Sequence, residues 1–138
     1  MILRNAPFAQ FGPYIRQNNK KLVLFGAGTL LTGWVQYLLE QYKITENVVN
    51  IIDKSISKQG RRININGGQF IIDAPEKMIT KITENTVILI TVSYFAAMIE
   101  QLDQIRELDQ TECYIAPIMH ITDKKQEHAD IRNFMEQQ

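Results

Sequence analysis

The sequence has few of the residues that build disulfide frameworks and metal centres. Its 138 residues include one cysteine, Cys113, and two histidines, His120 and His128. A single cysteine excludes a disulfide within the chain and fits a reducing compartment. Neither histidine stands at a spacing from carboxylates that matches a metal site. We therefore expect no metal centre, a buried Cys113 and two surface histidines.

An excess charge of one sign and a long apolar segment are also missing. Fifteen lysines and arginines balance fifteen aspartates and glutamates, so the formal net charge is zero. No overall field therefore attracts nucleic acid or an anionic membrane. No apolar run approaches the roughly 20 residues of a membrane span, and Pro7 and Pro13 interrupt the start of the chain, where a signal peptide would lie. We expect a cytoplasmic protein with no transmembrane segment and no nucleic-acid partner.

Length and composition predict one domain. Hydrophobic residues make up 45% and charged residues 22% of the chain, which is ordinary for a globular domain of this size. We expect residues 1–138 to form a single Rossmann-like domain with a lead-in (1–19), a core (20–117) and a C-terminal helical tail (118–138). The tail carries no helix-stop signal, which suggests that a further domain follows it. Simple fraying at a chain end is the alternative.

Short apolar strands alternate with helical patterns through the core. The five predicted strands are Lys21–Phe25, Val48–Asp53, Phe70–Ile72, Val87–Val92 and Cys113–Ala116. Residues 29–42 and 94–108 show helical spacing. In the first of these segments Trp34 and Tyr37 widen the apolar stripe, so that helix is expected to be largely buried. The alternation predicts an α/β fold with an open parallel sheet of about five strands, in the order 3-2-1-4-5, and helices on both faces.

The stretch between the second and third predicted strands lacks a helical stripe. Residues 54–69 therefore read as a loop, and the crossover helix usual at this point is expected to be absent. Within the loop, Arg62–Ile65 is expected to pair with Gln69–Ile72 across Asn66-Gly67, which is a hairpin turn signal.

The segment LVLFGAGTLLTG, at Leu22–Gly33, joins an apolar strand to two closely spaced glycines and then to a helical pattern. That order is how a nucleotide-binding βαβ unit begins: Gly26 lets the chain turn sharply, and Gly28 lets a ligand approach the backbone. Free N–H groups at the helix start would stabilise a phosphate there. A third glycine is replaced by Leu31, which is expected to push the helix outward or fill part of the cleft. A tight turn without any ligand is the alternative.

Two further groups of polar residues fall at the same edge of the predicted sheet. Asp53 ends the second strand, where an acidic residue accepts hydrogen bonds from an adenosine ribose; an Asx turn is the alternative. Thr91 and Ser93 follow the fourth strand, and Ser93 is alternatively the N-cap of the next helix. The predicted cofactor-binding residues are therefore Gly26, Ala27, Gly28, Thr29, Leu30, Asp53, Thr91 and Ser93.

Basic and aromatic residues near this edge have weaker functional interpretations. The loop after Asp53 carries Lys54, Lys58, Arg61 and Arg62, which would suit a phosphate; a solvated basic loop is the alternative. Tyr94 resembles the tyrosine of short-chain dehydrogenases, but Met98 stands where that mechanism needs a lysine. With no nucleophile elbow and no paired carboxylates, no catalytic residue is predicted.

Four segments together carry a resemblance: KKLVLFGAGTLLTGWVQYLLE, VVNIIDKSISKQGRRINING, FIIDAPEKM and VILITVSYFAAMIEQL. They resemble the Rossmann-like, NAD(P)-binding-type domain of bacterial capsular and surface polysaccharide biosynthesis proteins, which occurs in membrane nucleotide-sugar dehydratases and ahead of capsular glycosyltransferases. The resemblance covers Lys20–Pro117. It implies a module that accompanies catalysis rather than performing it, since the donor-binding DxD motif of the transferases is not present in this chain.

Three functional hypotheses follow. The first is a Rossmann-like module that binds NAD(P) or a nucleotide sugar, or keeps only the scaffold, beside a polysaccharide-biosynthesis glycosyltransferase. Its partner would be a neighbouring catalytic domain or a second copy of the chain. The second is a small standalone NAD(P)-dependent oxidoreductase or nucleotide-sugar-modifying enzyme. The third is a purely structural interaction domain in which Phe8, Phe11 and Tyr14 pack on a neighbour.

Overall fold

The computed structural model describes residues 1–119. Its strands are β1 (Ile2–Leu3), β2 (Lys21–Phe25), β3 (Val48–Ile52), β4 (Arg62–Ile65), β5 (Gly68–Ile71), β6 (Thr86–Ile90) and β7 (Glu112–Ile115). Its α-helices are α1 (Phe8–Gln17), α2 (Gln36–Gln41), α3 (Pro75–Ile79) and α4 (Phe95–Asp103), and a π-helical segment, Leu31–Val35, leads directly into α2. Short 3₁₀ turns span Thr45–Asn47, Arg106–Leu108 and Ala116–Ile118. Nearly all of the predicted C-terminal tail, with both histidines, lies outside the described residues.

Strands β2 and β6 form the centre of a five-stranded parallel sheet with the order β1-β7-β6-β2-β3. All five residues of β6 and four of the five in β2 are buried. Continuous apolar runs of this kind form strands that are covered on both faces. The predicted α/β class, an open parallel sheet of about five strands with helices, is confirmed.

The helices cover the sheet in two layers. On one face, α1 and the π-helical segment with α2 contribute Phe11, Leu31 and Leu39 to one apolar cluster. On the other face, α3 and α4 contribute Met78 and Met98 to a second. Each cluster also takes alternate residues from the central strands, so the sheet is the wall between two cores.

The predicted strand order is wrong at its edges. The inner order is as expected, since β3, β2, β6 and β7 are the predicted strands 2, 1, 4 and 5. The third predicted strand, Phe70–Ile72, instead falls largely in β5, which pairs antiparallel with β4 in a separate hairpin. That segment meets the main sheet only through a parallel bridge between Ile52 and Asp73. The fifth strand of the sheet is β1, which pairs with β7.

The hairpin itself was expected, and its turn explains why it forms. Asn66 and Gly67 have φ values of 52° and 91°, and two successive positive φ values let the chain reverse over two residues. The Asn66 side chain donates to the Gln36 carbonyl (2.9 Å) and the Thr45 hydroxyl (2.8 Å), which fastens the hairpin to α2. Pairing begins at Ile65 and Gly68, one residue earlier than predicted. Without a crossover helix, local antiparallel pairing replaces a third parallel strand.

The lead-in contributes β1 and α1, which the sequence patterns did not predict. Helix α1 contains Pro13, yet Phe8, Phe11 and Ile15 form a buried face at helical spacing. The third functional hypothesis placed Phe8 and Phe11 on a neighbouring protein, and that placement is wrong. These rings are 3% and 1% exposed because they pack against this domain's own sheet.

Tyr14, the third residue of that hypothesis, also has its contacts within the chain. Its hydroxyl donates to the carboxylate of Glu112 at the start of β7, and Arg4 lies 3.3 Å from the same carboxylate. Burial and the Glu112 carboxylate raise the pKa of Tyr14. The lead-in is therefore attached to the sheet edge by polar contacts as well as by its apolar face.

Candidate functional site

Gly26 makes the turn that follows β2. Its φ is +128°, and an added Cβ would lie 2.4 Å from Val92 Cγ1 and 3.1 Å from the Thr91 carbonyl. The Thr91 hydroxyl donates to the Gly26 carbonyl at 2.6 Å, and the Gly26 N–H donates to the Ile52 carbonyl at 2.8 Å. Only glycine fits this backbone conformation and this space. Gly26 is thus enclosed by protein, and it joins the ends of three strands.

Asp53 lies directly after β3, with 2% of its surface exposed. One carboxylate oxygen accepts the N–H of Ala27 and the other accepts the N–H of Ser55, both at 2.8 Å. Lys58 Nζ lies 3.8 Å from the first oxygen. The bond to Ser55 is that of an Asx turn, so the structure supports this alternative for Asp53. Both oxygens are occupied by backbone donors, and little surface is left for a ribose.

A cleft of about 520 Å³ opens beside this turn, between the ends of β2 and β6. Ligands of open α/β sheets bind at this position, where the strand order reverses. The cleft is lined by Ala27, Gly28, Thr29, Leu30, Thr32, Lys58, Thr91, Val92, Ser93 and Tyr94. Its volume falls within the roughly 300–1,000 Å³ typical of small-molecule sites. Six of the eight predicted cofactor-binding residues therefore share one cleft, whereas Gly26 and Asp53 do not line it.

Of the described residues that line the cleft, Lys58 alone is charged. Its ammonium would lie 3.5 Å from a Cβ added at Gly28, and 41% of its side chain is exposed. Lys54 Nζ lies 5.4 Å from the centre of the Tyr94 ring, beside the same cleft. Arg61 and Arg62 are exposed but do not line it. The structure thus brings two of the four basic loop residues to the cleft.

Gly28 does not have a positive φ, so its backbone conformation is open to other residues. Two details near the turn differ from what the sequence suggested. Leu31 is fully buried in the core and does not line the cleft, so it neither fills nor narrows it. Ser93 does not cap α4: the N-cap is Tyr94, with no side-chain cap bond. Ser93 is instead exposed at the cleft wall.

Trp34 is a site residue that the sequence analysis missed. The helical stripe placed it in a largely buried helix, but Trp34 and Tyr37 are 37% and 62% exposed. A second cavity, of about 430 Å³, is lined by Leu30, Trp34, Ser93 and Pro117. Periodicity alone could not reveal this, because the π-helical turn at Leu31–Val35 changes the angular spacing of the residues around it.

A larger cavity lies at the opposite edge of the sheet, near the C-terminal ends of α1 and α2. Its volume is about 610 Å³, and it is lined by Arg16, Asn19, Glu40, Lys43, Thr45, Glu46 and Asn47. Charges of both signs alternate there. Arg16 lies in the last turn of α1, where it stabilises the helix dipole, and donates to the Tyr42 carbonyl after α2 (3.4 Å), and Asn47 donates to the Lys20 carbonyl (2.9 Å). A structural role accounts for this lining, so size does not make it the better candidate site.

A scan against protein-family models and a search of curated proteins found no match for this chain. Within residues 1–119, no cluster of histidine, cysteine and carboxylate side chains could hold a metal ion. In the same part of the chain, no helix combines the length and apolar character needed to cross a membrane.

Proposed function

We propose that this chain is a Rossmann-like module that binds a phosphorylated small molecule, a nucleotide or nucleotide sugar, in the cleft beside Gly28, and that it does not catalyse a reaction by itself. One observation carries the proposal. Among the lining residues that the structure describes, Lys58 carries the only charge in a cleft at the switch point of the sheet, and it lies next to the half-buried Gly28. A lysine in that position acts as a point charge for phosphate.

A dinucleotide held in the usual way does not fit these residues. That mode needs a carboxylate at the end of the second strand to accept the ribose hydroxyls. Asp53 is 2% exposed, and its two oxygens already accept the N–H groups of Ala27 and Ser55. This geometry favours a mononucleotide or nucleotide sugar over NAD(P).

The place of the module in a larger reaction follows from the resemblance described above. Similar domains stand ahead of capsular glycosyltransferases, which supports a role beside a sugar-transferring partner. The oxidoreductase alternative has less support, because Met98 is buried in the core and the lysine beside Tyr94 lies over its ring rather than at its hydroxyl.

A scaffold without a ligand is the second candidate. It is favoured by the hydrogen bond from Ala27 to Asp53. A phosphate over the glycine turn would need such donors, and here one of them is occupied by the protein's own carboxylate. The two candidates differ in what they predict for ligand binding by Lys58, since its 3.8 Å ion pair with Asp53 would serve a scaffold without any ligand.

Thermal unfolding with UDP separates the two candidates. A ligand at 100 times its dissociation constant stabilises a fold by about 2.7 kcal/mol. We expect UDP to raise the unfolding temperature of the wild type and of Lys77→Ala, whose lysine is exposed on α3, but not of Lys58→Ala. Equal shifts in all three proteins would place the ligand elsewhere. If UDP, ADP and pyrophosphate leave the wild type unchanged, the scaffold is the better account.

A further inference from the structure

The cleft and the second cavity are neighbours that differ in character. Leu30 and Ser93 line both of them. The cleft of about 520 Å³ is lined by Lys58 and the half-buried Gly28, whereas the other described walls of the cavity of about 430 Å³ are Trp34 and Pro117. A molecule that spans both spaces would therefore meet a positive charge at one end and apolar rings at the other.

Trp34 packs against the aromatic residues of α1. Its ring lies edge-on to Phe8, with centroids 6.0 Å apart and an interplanar angle of 86°. Phe8 is itself buried against Phe11 and Tyr42. With this contact, Trp34 keeps 37% of its surface exposed. Large, supported and partly exposed aromatic rings are suited to stacking on a flat ligand.

The position of Trp34 depends on the π-helical segment Leu31–Val35, in which it is the fourth residue. π-Helical turns are rare, and they are found frequently at functional sites. The π-helical segment follows directly after Gly28, Thr29 and Leu30, which line the cleft, so one continuous stretch of chain contributes both the cleft wall and the tryptophan.

We propose that the ligand is a phosphate ester with a flat ring, such as a nucleoside monophosphate, whose phosphate lies at Lys58 and whose base stacks on Trp34. The ring would lie over the β6–β7 side of the sheet, away from Asp53. This proposal rests on the proposed function, since it assumes that the cleft binds phosphate. It is supported by the cavity size and by the lining: among the described residues that line the Trp34 cavity, Ser93 is the only one besides Trp34 whose side chain can form a hydrogen bond. Recognition of the ring would therefore come from stacking rather than from hydrogen bonds.

Intrinsic fluorescence tests the stacking directly, because Trp34 is the only tryptophan of the chain. The full chain is titrated with UMP, with uridine and with pyrophosphate, and calorimetry measures the affinity in parallel. We expect UMP to change the Trp34 emission and to bind about tenfold more tightly than pyrophosphate, which binds without an emission change. Uridine, which has no phosphate, is expected to bind more weakly than UMP.

Variants separate stacking from phosphate binding. Trp34→Leu should lower the affinity for UMP about tenfold and leave that for pyrophosphate unchanged, and Trp34→Phe should retain most of the UMP affinity. Circular dichroism identifies a variant that fails to fold, and the wild-type emission titration then still decides. Equal affinities for UMP and pyrophosphate with no emission change would overturn the stacking and leave the proposed function intact. No binding of either compound would overturn both.

Discussion

The carboxyl edge of the central sheet has two sides that use their polar groups differently. On the Asp53 side, formed by residues 53–60, the carboxylate accepts two backbone N–H groups and Gln59 donates to the Asp53 carbonyl at 3.0 Å. On the Ser93 side, formed by residues 91–94 and Pro117, the serine is exposed and the two adjoining cavities open. The hydrogen bonds of the Asp53 side therefore stabilise the fold.

This difference bears on the proposed ligand more than the glycine motif does. A glycine turn after a strand is compatible with a site or with a plain bend, and here Gly26 is enclosed by Val92 and Thr91. The Lys58 side chain connects the two sides, since it leaves the Asp53 loop and reaches the cleft. The Asp53 side therefore stabilises the fold, and the Ser93 side is the one proposed to bind a phosphorylated ligand.

The largest expected effect is at Gly26, which contacts residues at the ends of β3 and β6 on both sides of the edge. Gly26→Ala would place a Cβ 2.4 Å from Val92 Cγ1 at a φ of +128°. Strain and overpacking of this kind lower the free energy of unfolding by about 3 kcal/mol or more. Urea unfolding measures the loss, with Gly33→Ala as the control, since no atom lies within 4 Å of a Cβ there. Equal stabilities of the two variants would contradict the structural role of Gly26.

The second-largest loss of stability is expected for Asp53→Ala. Asp53→Ala leaves the N–H groups of Ala27 and Ser55 without their acceptor, and we expect it to lower the free energy of unfolding by about 2 kcal/mol. Ser93→Ala, on the Ser93 side, should change the free energy of unfolding by less than about 0.5 kcal/mol. Denaturant unfolding of both variants sharpens the comparison. A loss below about 0.5 kcal/mol for Asp53→Ala would show that its hydrogen bonds do not stabilise the turn.

Cys113 tests whether β7, the strand that leads to the Ser93 side, is as tightly packed as the rest of the sheet. It is fully buried in β7, as expected from its apolar flanks, and burial raises the pKa of its thiol to about 12. The unfolded chain ionises first, so the stability that this group contributes is complete below about pH 9 and is lost as the pH rises toward 12. From pH 8 to pH 10 the wild type should lose about 1 kcal/mol more than Cys113→Ala. Parallel pH profiles would mean that the thiol meets solvent.

Gly28 should show the smallest effect on stability and a clear effect on binding. Its φ is not positive, and an added Cβ would meet only Lys58 Nζ, at 3.5 Å. Gly28→Ala should therefore change the free energy of unfolding by less than about 0.5 kcal/mol. The methyl group enters the cleft, so calorimetry should show weaker UDP binding. Wild-type affinity in this variant would exclude a phosphate beside Gly28.

The sequence predicted the parts of the fold that depend on local patterns. Apolar runs identified the four inner strands, and Asn66-Gly67 identified the hairpin. Strand β1 was missed because two residues are too few to show a period, and α1 because Pro13 lies within it. The order of the edge strands depends on long-range pairing that no local pattern encodes.

The candidate site, too, could be predicted only where local sequence spacing determines it. Spacing after the strands predicted that Gly28, Thr91 and Ser93 lie at one edge of the sheet, and in the structure all three line the same cleft. The partner of Asp53 is Ala27, which is distant in sequence, so spacing alone left two interpretations open. The exposure of Trp34 depends on a π-helical turn, for which helical periodicity gives no signal.

Amide NMR of the labelled chain during titration with UMP tests most directly whether the Ser93 side of the carboxyl edge, and not the Asp53 side, binds the ligand. We expect the largest chemical-shift changes at the amides of Gly28 and Ser93 and at the indole N–H of Trp34. The amide signals of Ser55 and Gln59, which lie on the Asp53 side, should shift much less. Large changes at Ser55 and Gln59, with Ser93 and Trp34 unaffected, would contradict the account.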